Sequence, residues 1–147
     1  PSILSLDLFS KVIYNYRDEF VTSKYLDRPY TMMSISVFGA DTDSEALYLR
    51  TSYQQAYGNL ITGKAGPLPK PTKDINLVMS QEVLRSVNHS MHINATGGPE
   101  KMQKELKTII DTYQPDELIF YSPIHSLEKR IKSFSIAGKV VEDMNIR

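Results

Sequence analysis

Two short apolar runs, long enough for strands and too short for helices, decide most of what this chain can fold into. Thr31-Met32-Met33-Ser34-Ile35-Ser36-Val37-Phe38 puts Met33, Ile35 and Val37 on one face and Met32, Ser34, Ser36 and Phe38 on the other. Largely apolar on both faces, it predicts a strand covered on both sides, as in parallel sheets flanked by helices. Glu117-Leu118-Ile119-Phe120-Tyr121-Ser122 predicts a second buried strand.

Amphipathic helices surround these runs. Phe9, Val12, Ile13, Tyr16 and Phe20 recur at helical spacing over residues 6–20. After Gly39-Ala40-Asp41, the order Thr42-Asp43-Ser44-Glu45 has capping-box spacing and predicts a helix with Ala46, Leu49, Tyr53, Ala56 and Leu60 inward. Residues 75–87 resume a helical period, and Met91–Ala95 alternates like a short strand. Gly98, Pro99 and Glu100 then form a helix start, followed by Met102, Leu106, Ile109, Ile110 and Tyr113 on one face. Ser126 is positioned to cap a last helix with Leu127, Ile131, Phe134 and Val141 inward. The order α, β, α, loop, α, short β, α, β, α predicts an α/β class with parallel strands.

Between residues 62 and 73, Gly, Pro and Lys dominate, so a loop is expected, either a mobile lid or a solvated connection. With 147 residues the chain is read as one domain, large enough to bury a core without staples. Its 17 basic residues balance 17 acidic ones, which gives no electrostatic reason to expect nucleic acid or an anionic membrane as partner. No run is long enough to span a bilayer. The absence of Cys removes disulfides and thiolate chemistry together. Pro1 stands where an initiator Met would, so the chain is expected to be a piece of something longer.

His89 and His92 lack neighbouring metal-ligand types and read as surface residues. His125 differs, because it follows a predicted strand, and loops after parallel strands are where α/β folds place their sites. Ala95-Thr96-Gly97-Gly98-Pro99-Glu100 lacks the spacing of a phosphate-loop fingerprint and reads as a helix start. On residue chemistry alone, the chain is an α/β domain with a candidate strand-end site.

Four stretches in register carry a resemblance: Tyr16-Arg17-Asp18-Glu19-Phe20, Val37 through Ala46, Gly97-Gly98-Pro99-Glu100, and Asp116-Glu117-Leu118-Ile119 followed by His125. Together they resemble the C-terminal part of the bacterial luciferase-like, flavin-dependent monooxygenase family, across nearly the whole chain. Gly98 departs from the Ser or Thr usual there, a small loss for a helix N-cap. The resemblance implies the C-terminal portion of a (β/α)8 barrel, because a whole barrel needs at least about 200 residues. Residues 31–39 would be the seventh strand and 117–122 the eighth, and 62–73 would fall in the mobile active-site loop.

It further implies reduced FMN or a deazaflavin as cofactor, with O2 and a small organic molecule as substrates, in a cytoplasmic protein. His125 is the candidate catalytic residue, and Tyr121, Ser122, Lys64 and Lys70 are candidate cofactor contacts. The isolated piece is expected to be inactive and to form a homo-oligomer or join its missing N-terminal part. The alternatives are a non-catalytic half-barrel that binds flavin or self-associates, and an unrelated small α/β domain using the 62–73 loop for binding.

Overall fold

A computed structural model describes residues 6–144, and Pro1 lies outside them. The elements are α1 (Leu6–Asp18), β1 (Met32–Gly39), α2 (Asp43–Ile61), α3 (Gln81–Ser90), β2 (Asn94–Gly97), α4 (Pro99–Tyr113), β3 (Glu117–Tyr121) and α5 (Leu127–Asp143), with a 3-10 turn at Ile75–Leu77. The sheet has the order β2-β1-β3 and is parallel throughout. Its register pairs Met32–Ser36 with Glu117–Tyr121 and Ser36–Gly39 with Asn94–Gly97. β1 is the central strand, paired with its chain successor β2 and also with β3. The fold is α/β and amounts to part of a barrel.

One face of β1, carrying Met33, Ile35 and Val37, is sealed by Met102, Leu106, Ile109 and Tyr113 of α4 and by Ala137 and Val140 of α5. Phe9 and Ile13 of α1 pack against the same cluster. On the other face only the carboxyl end is covered. Phe38 and Ala40 pack there with Ala46, Leu49 and Tyr57 of α2, Val87 of α3, Met91 and Ile124. Met32 on β1 remains 56% exposed, and Ile119 and Tyr121 of β3 are 44% and 51% exposed. The expectation of strands covered on both sides is therefore corrected: it holds for the carboxyl end of β1 and fails for β3. Of the described helices, α2 reaches this face through Tyr53, whose ring meets Tyr121.

Local chemistry explains most element ends. Thr42 caps α2 by accepting the Glu45 amide at 3.2 Å. Glu45 itself bonds Lys129 at 2.6 Å, so only half of the expected capping box forms. Gly98 and Pro99 start α4 as read from the sequence, and Gln114 ends it in the left-handed region at φ 47°. Asp74 caps the turn at Ile75–Leu77, and Ser80 caps α3, so the helix expected from residue 75 starts six residues later, at Gln81. In α5 the buried residues are Ser133, Ala137 and Val140, whereas Leu127, Ile131 and Phe134 are exposed.

The amino ends of β1 and β3 are tied together by polar groups. Asp116 accepts from the Thr31 amide at 2.8 Å and from Arg28 at 2.9 Å, contacts that hold its carboxyl below the usual carboxylate range. Arg17 donates to the Tyr113 carbonyl at 3.0 Å and the Gln114 carbonyl at 2.5 Å, satisfying the end of α4. Two of the four resembling stretches thus contribute to the end of the sheet that stabilises barrels rather than the end that hosts their chemistry.

Candidate functional site

The inner stripe of α2 brings aromatic side chains over the carboxyl half of the sheet. Tyr53 lies 6.1 Å from Phe38, 6.2 Å from Tyr57 and 5.9 Å from Tyr121, the last in an edge-on arrangement. Below these rings is a cavity of about 450 Å³ bounded by Ser34 and Ser36 of β1, Met91 and the tyrosines. It extends along the edge of β1 that β2 leaves unpaired, since β2 reaches only from Ser36 to Gly39. The size is that of a small-molecule site, and the lining is aromatic and apolar with a few hydroxyls. Burial pushes the Tyr53 phenol above its ordinary pKa, with Tyr121 and Tyr57 adding to the effect, so it remains a hydroxyl that can donate a hydrogen bond.

The residues expected at the site separate in space. Tyr121 lines this cavity. Ser122 does not: it is 2% exposed and donates to Ser133 Oγ at 3.0 Å. Ser133 in turn accepts the Gly39 amide at 2.8 Å and donates to the Val37 carbonyl at 3.2 Å. This buried network fixes α5 against the ends of β1 and β3. His125 is exposed in the connection from β3 to α5, one residue before the capping Ser126. Lys64 and Lys70 are exposed on the loop that returns along α2. There Gln55 donates to the Lys70 carbonyl at 2.9 Å, and Thr51 accepts the Thr72 amide at 2.8 Å. Neither lysine reaches the tyrosine cavity.

Tyr53, Tyr57, Ser34 and Ser36 are among the lining residues that motif reading missed. A signal existed in the four-residue spacing of Tyr53 and Tyr57, but only the fold adds Tyr121. Above the strands, Lys132 pairs with Asp41 and Lys129 with Glu45, pinning α5 to the turn after β1. Lys132 holds the Asp41 carboxyl below its usual range, and Glu45 holds the Lys129 ammonium above its own. Among the described residues no group of His, Asp and Glu is arranged to hold a metal, and no helix is long and apolar enough to cross a membrane.

A flavin's ring system suits this cavity: its lining offers flat aromatic and thioether surfaces with hydroxyls at Tyr53, Ser34 and Ser36. A flavin phosphate finds no cation among the residues lining it.

No protein-family profile matches the chain. The uncharacterized protein YvbT of Bacillus subtilis (strain 168) is 32% identical over 125 residues, 85% of this chain and 37% of the relative. The luciferase-like monooxygenase of Escherichia coli (strain K12) is 29% identical over 138 residues, 94% of this chain and 41% of the relative. The crystal structure of apo-MsnO8 superposes with a TM-score of 0.70 at 19% identity, over 90% of this chain and 41% of that one, which supports the fold. The chain therefore spans 37–41% of the length of the relatives it matches. Over almost all of its length, the chain is thus similar to a luciferase-like monooxygenase.

Proposed function

We propose that the chain is the C-terminal portion of a flavin-dependent monooxygenase, oxidising a small organic substrate with reduced FMN and O2, the alternative being an oxidoreductase that takes a deazaflavin as hydride carrier. The observation carrying this reading is the aromatic cavity that joins Tyr121, at the carboxyl end of β3, to Ser34 and Ser36 in the middle of β1, since barrels of this class place their chemistry towards the carboxyl ends of their strands. When bound, the flavin supplies the oxygen activation. The chain's own contribution is to stack and enclose. Tyr53, Tyr57 and Tyr121 present ring edges and faces, Ser34 and Ser36 offer hydroxyls, and α2 keeps water from the cavity's roof. Ser122 acts through Ser133 by fixing the strand ends. His125, exposed in the connection after β3, is the candidate to meet a substrate entering from solvent. Residues 62–73 act as a mobile cover, with Lys64 and Lys70 approaching an anionic tail. A cytoplasmic location accords with this cofactor use.

Titrating the chain with FMN while following flavin fluorescence tests the cavity. Quenching that saturates is expected, with Tyr121→Ala weakening binding about tenfold, or roughly 1.4 kcal/mol of lost stacking. Unchanged affinity in both Tyr121→Ala and Tyr53→Leu would remove the cavity from consideration.

A second reading, a non-catalytic self-associating half-barrel, is favoured by the open sheet face bearing Met32, Ile119 and Tyr121. An uncovered apolar sheet face with free strand edges seeks a partner, here the remaining barrel strands or a second copy. Light scattering is expected to show a species larger than the 16.7 kDa monomer. A monodisperse monomer would count against it.

A further inference from the structure

A second cavity, sharing no lining residue with the tyrosine site, lies on the helical side of β2 between α2 and α4 and has a volume of about 400 Å³. Arg50 enters it from α2, Lys101 and Lys104 from α4, and His92 from the connection leading into β2. Its one carboxylate, Glu105, is already engaged: Oε2 accepts the Thr96 amide at 2.6 Å, and Oε1 stands 3.8 Å from Lys101.

The guanidinium of Arg50 is under-satisfied. Its Nε is sealed from solvent without a hydrogen-bond partner. Its one side-chain bond runs 3.4 Å to Asn88 Oδ1, an oxygen that Gln54 occupies better at 2.8 Å. Burial lowers the Arg50 pKa, yet a guanidinium keeps its charge under all ordinary conditions. A half-buried cation with unused donors is costly unless an anion completes it. His92 Nε2 is also sealed and unpartnered, while its Nδ1 faces the His89 carbonyl at 2.5 Å and so carries the proton of the neutral ring. Nε2 is then a lone pair that can accept from an acidic hydroxyl, or a donor once protonated.

We infer that this cleft is a phosphate site, in which Arg50, Lys104 and Lys101 bind the phosphoryl oxygens and His92 Nε2 meets a P–OH or, when protonated, a further oxygen. Three cations less one carboxylate leave two positive charges, which match a phosphate dianion. The fork of Arg50 supplies the geometry that phosphoryl oxygens prefer. Both inorganic phosphate and the end group of a phosphomonoester have this chemistry. The inference is independent of the flavin reading, since neither cavity borrows a residue from the other.

Calorimetric titration with inorganic phosphate and, separately, phenyl phosphate tests it, with ionic strength held constant by NaCl because exposed lysines attract any anion weakly. Saturable binding at or below about 1 mM is expected for at least one probe. Tight binding of phenyl phosphate points to an ester, and binding of inorganic phosphate alone points to the free ion. Arg50→Gln and, separately, Lys104→Gln should each weaken binding at least about tenfold. Lys104 is exposed, so its replacement leaves folding intact even if Arg50→Gln does not. Lys107→Gln, which removes a cation of α4 paired with Asp111 outside the cleft, should change nothing. Absence of saturation up to about 10 mM with both probes, or binding that survives Lys104→Gln unchanged, overturns the inference.

Discussion

Phe38→Ala is expected to cost about 4 kcal/mol of stability and to remove the tyrosine cavity with it. Phe38 is fully buried and is the side chain through which the carboxyl end of β1 meets both α2 and α3. Its ring lies beneath Tyr53, so truncation leaves a void bordered by Leu49, Val87, Met91 and Ile124 and takes away the surface on which Tyr53 rests. Domains of this size are stable by only about 5–15 kcal/mol, so the variant should populate unfolded chain at room temperature. Urea unfolding monitored by tyrosine fluorescence measures it. A loss under about 1 kcal/mol would mean that α2 and α3 are not packed on the sheet.

The elements legible in the sequence are those whose cause is local. α4 could be bounded because Gly98 and Pro99 pre-form its first turn and because four buried side chains recur at its period. β1 and β3 were recognisable as runs, yet how much of each is covered depends on what lies opposite. Phe38 finds α2 and α3, whereas Ile119 stays exposed and Tyr121 meets only the edge of the Tyr53 ring and the cavity below it. The inner face of α5 was misassigned for a related reason. Periodicity counts Leu127, Ile131 and Phe134 as a stripe, but the sheet is met by Ser133, Ala137 and Val140, which are small enough for the helix backbone to approach.

The candidate site was legible only at Tyr121. A loop after a strand marks a region, here the carboxyl end of β3. It could not tell which side chains turn inward. Ser122 turns into the wall and His125 out to solvent, while Tyr53 and Tyr57 arrive from a helix more than sixty residues earlier in the chain. Arg50 gives no sequence signal at all, because a lone arginine on a helix is ordinarily solvated. Its significance comes from the burial of Nε and from an acceptor it must share.

Ser133→Ala should destabilise the chain by about 3 kcal/mol, well beyond the usual value for losing one hydroxyl. The hydroxyl accepts from the Gly39 amide and Ser122 Oγ and donates to the Val37 carbonyl, all within a region closed to water. Alanine leaves those three groups without this partner, and the cost of an unmet buried group exceeds the net gain from a formed bond. Relaxation cannot repair this, because α5 and β1 are already in close contact: a Cβ at Gly39 would stand 3.1 Å from the Ser133 carbonyl and 3.2 Å from Ile136 Cβ. Ser122→Ala removes only one of the three bonds and should cost about 1 kcal/mol. If the network acts as a unit, the double variant will cost less than the sum of the two single variants, as expected for groups sharing one hydroxyl. Strict additivity, or a loss under about 1 kcal/mol for Ser133→Ala, would show that the strand ends are held by the Lys132–Asp41 and Lys129–Glu45 pairs instead.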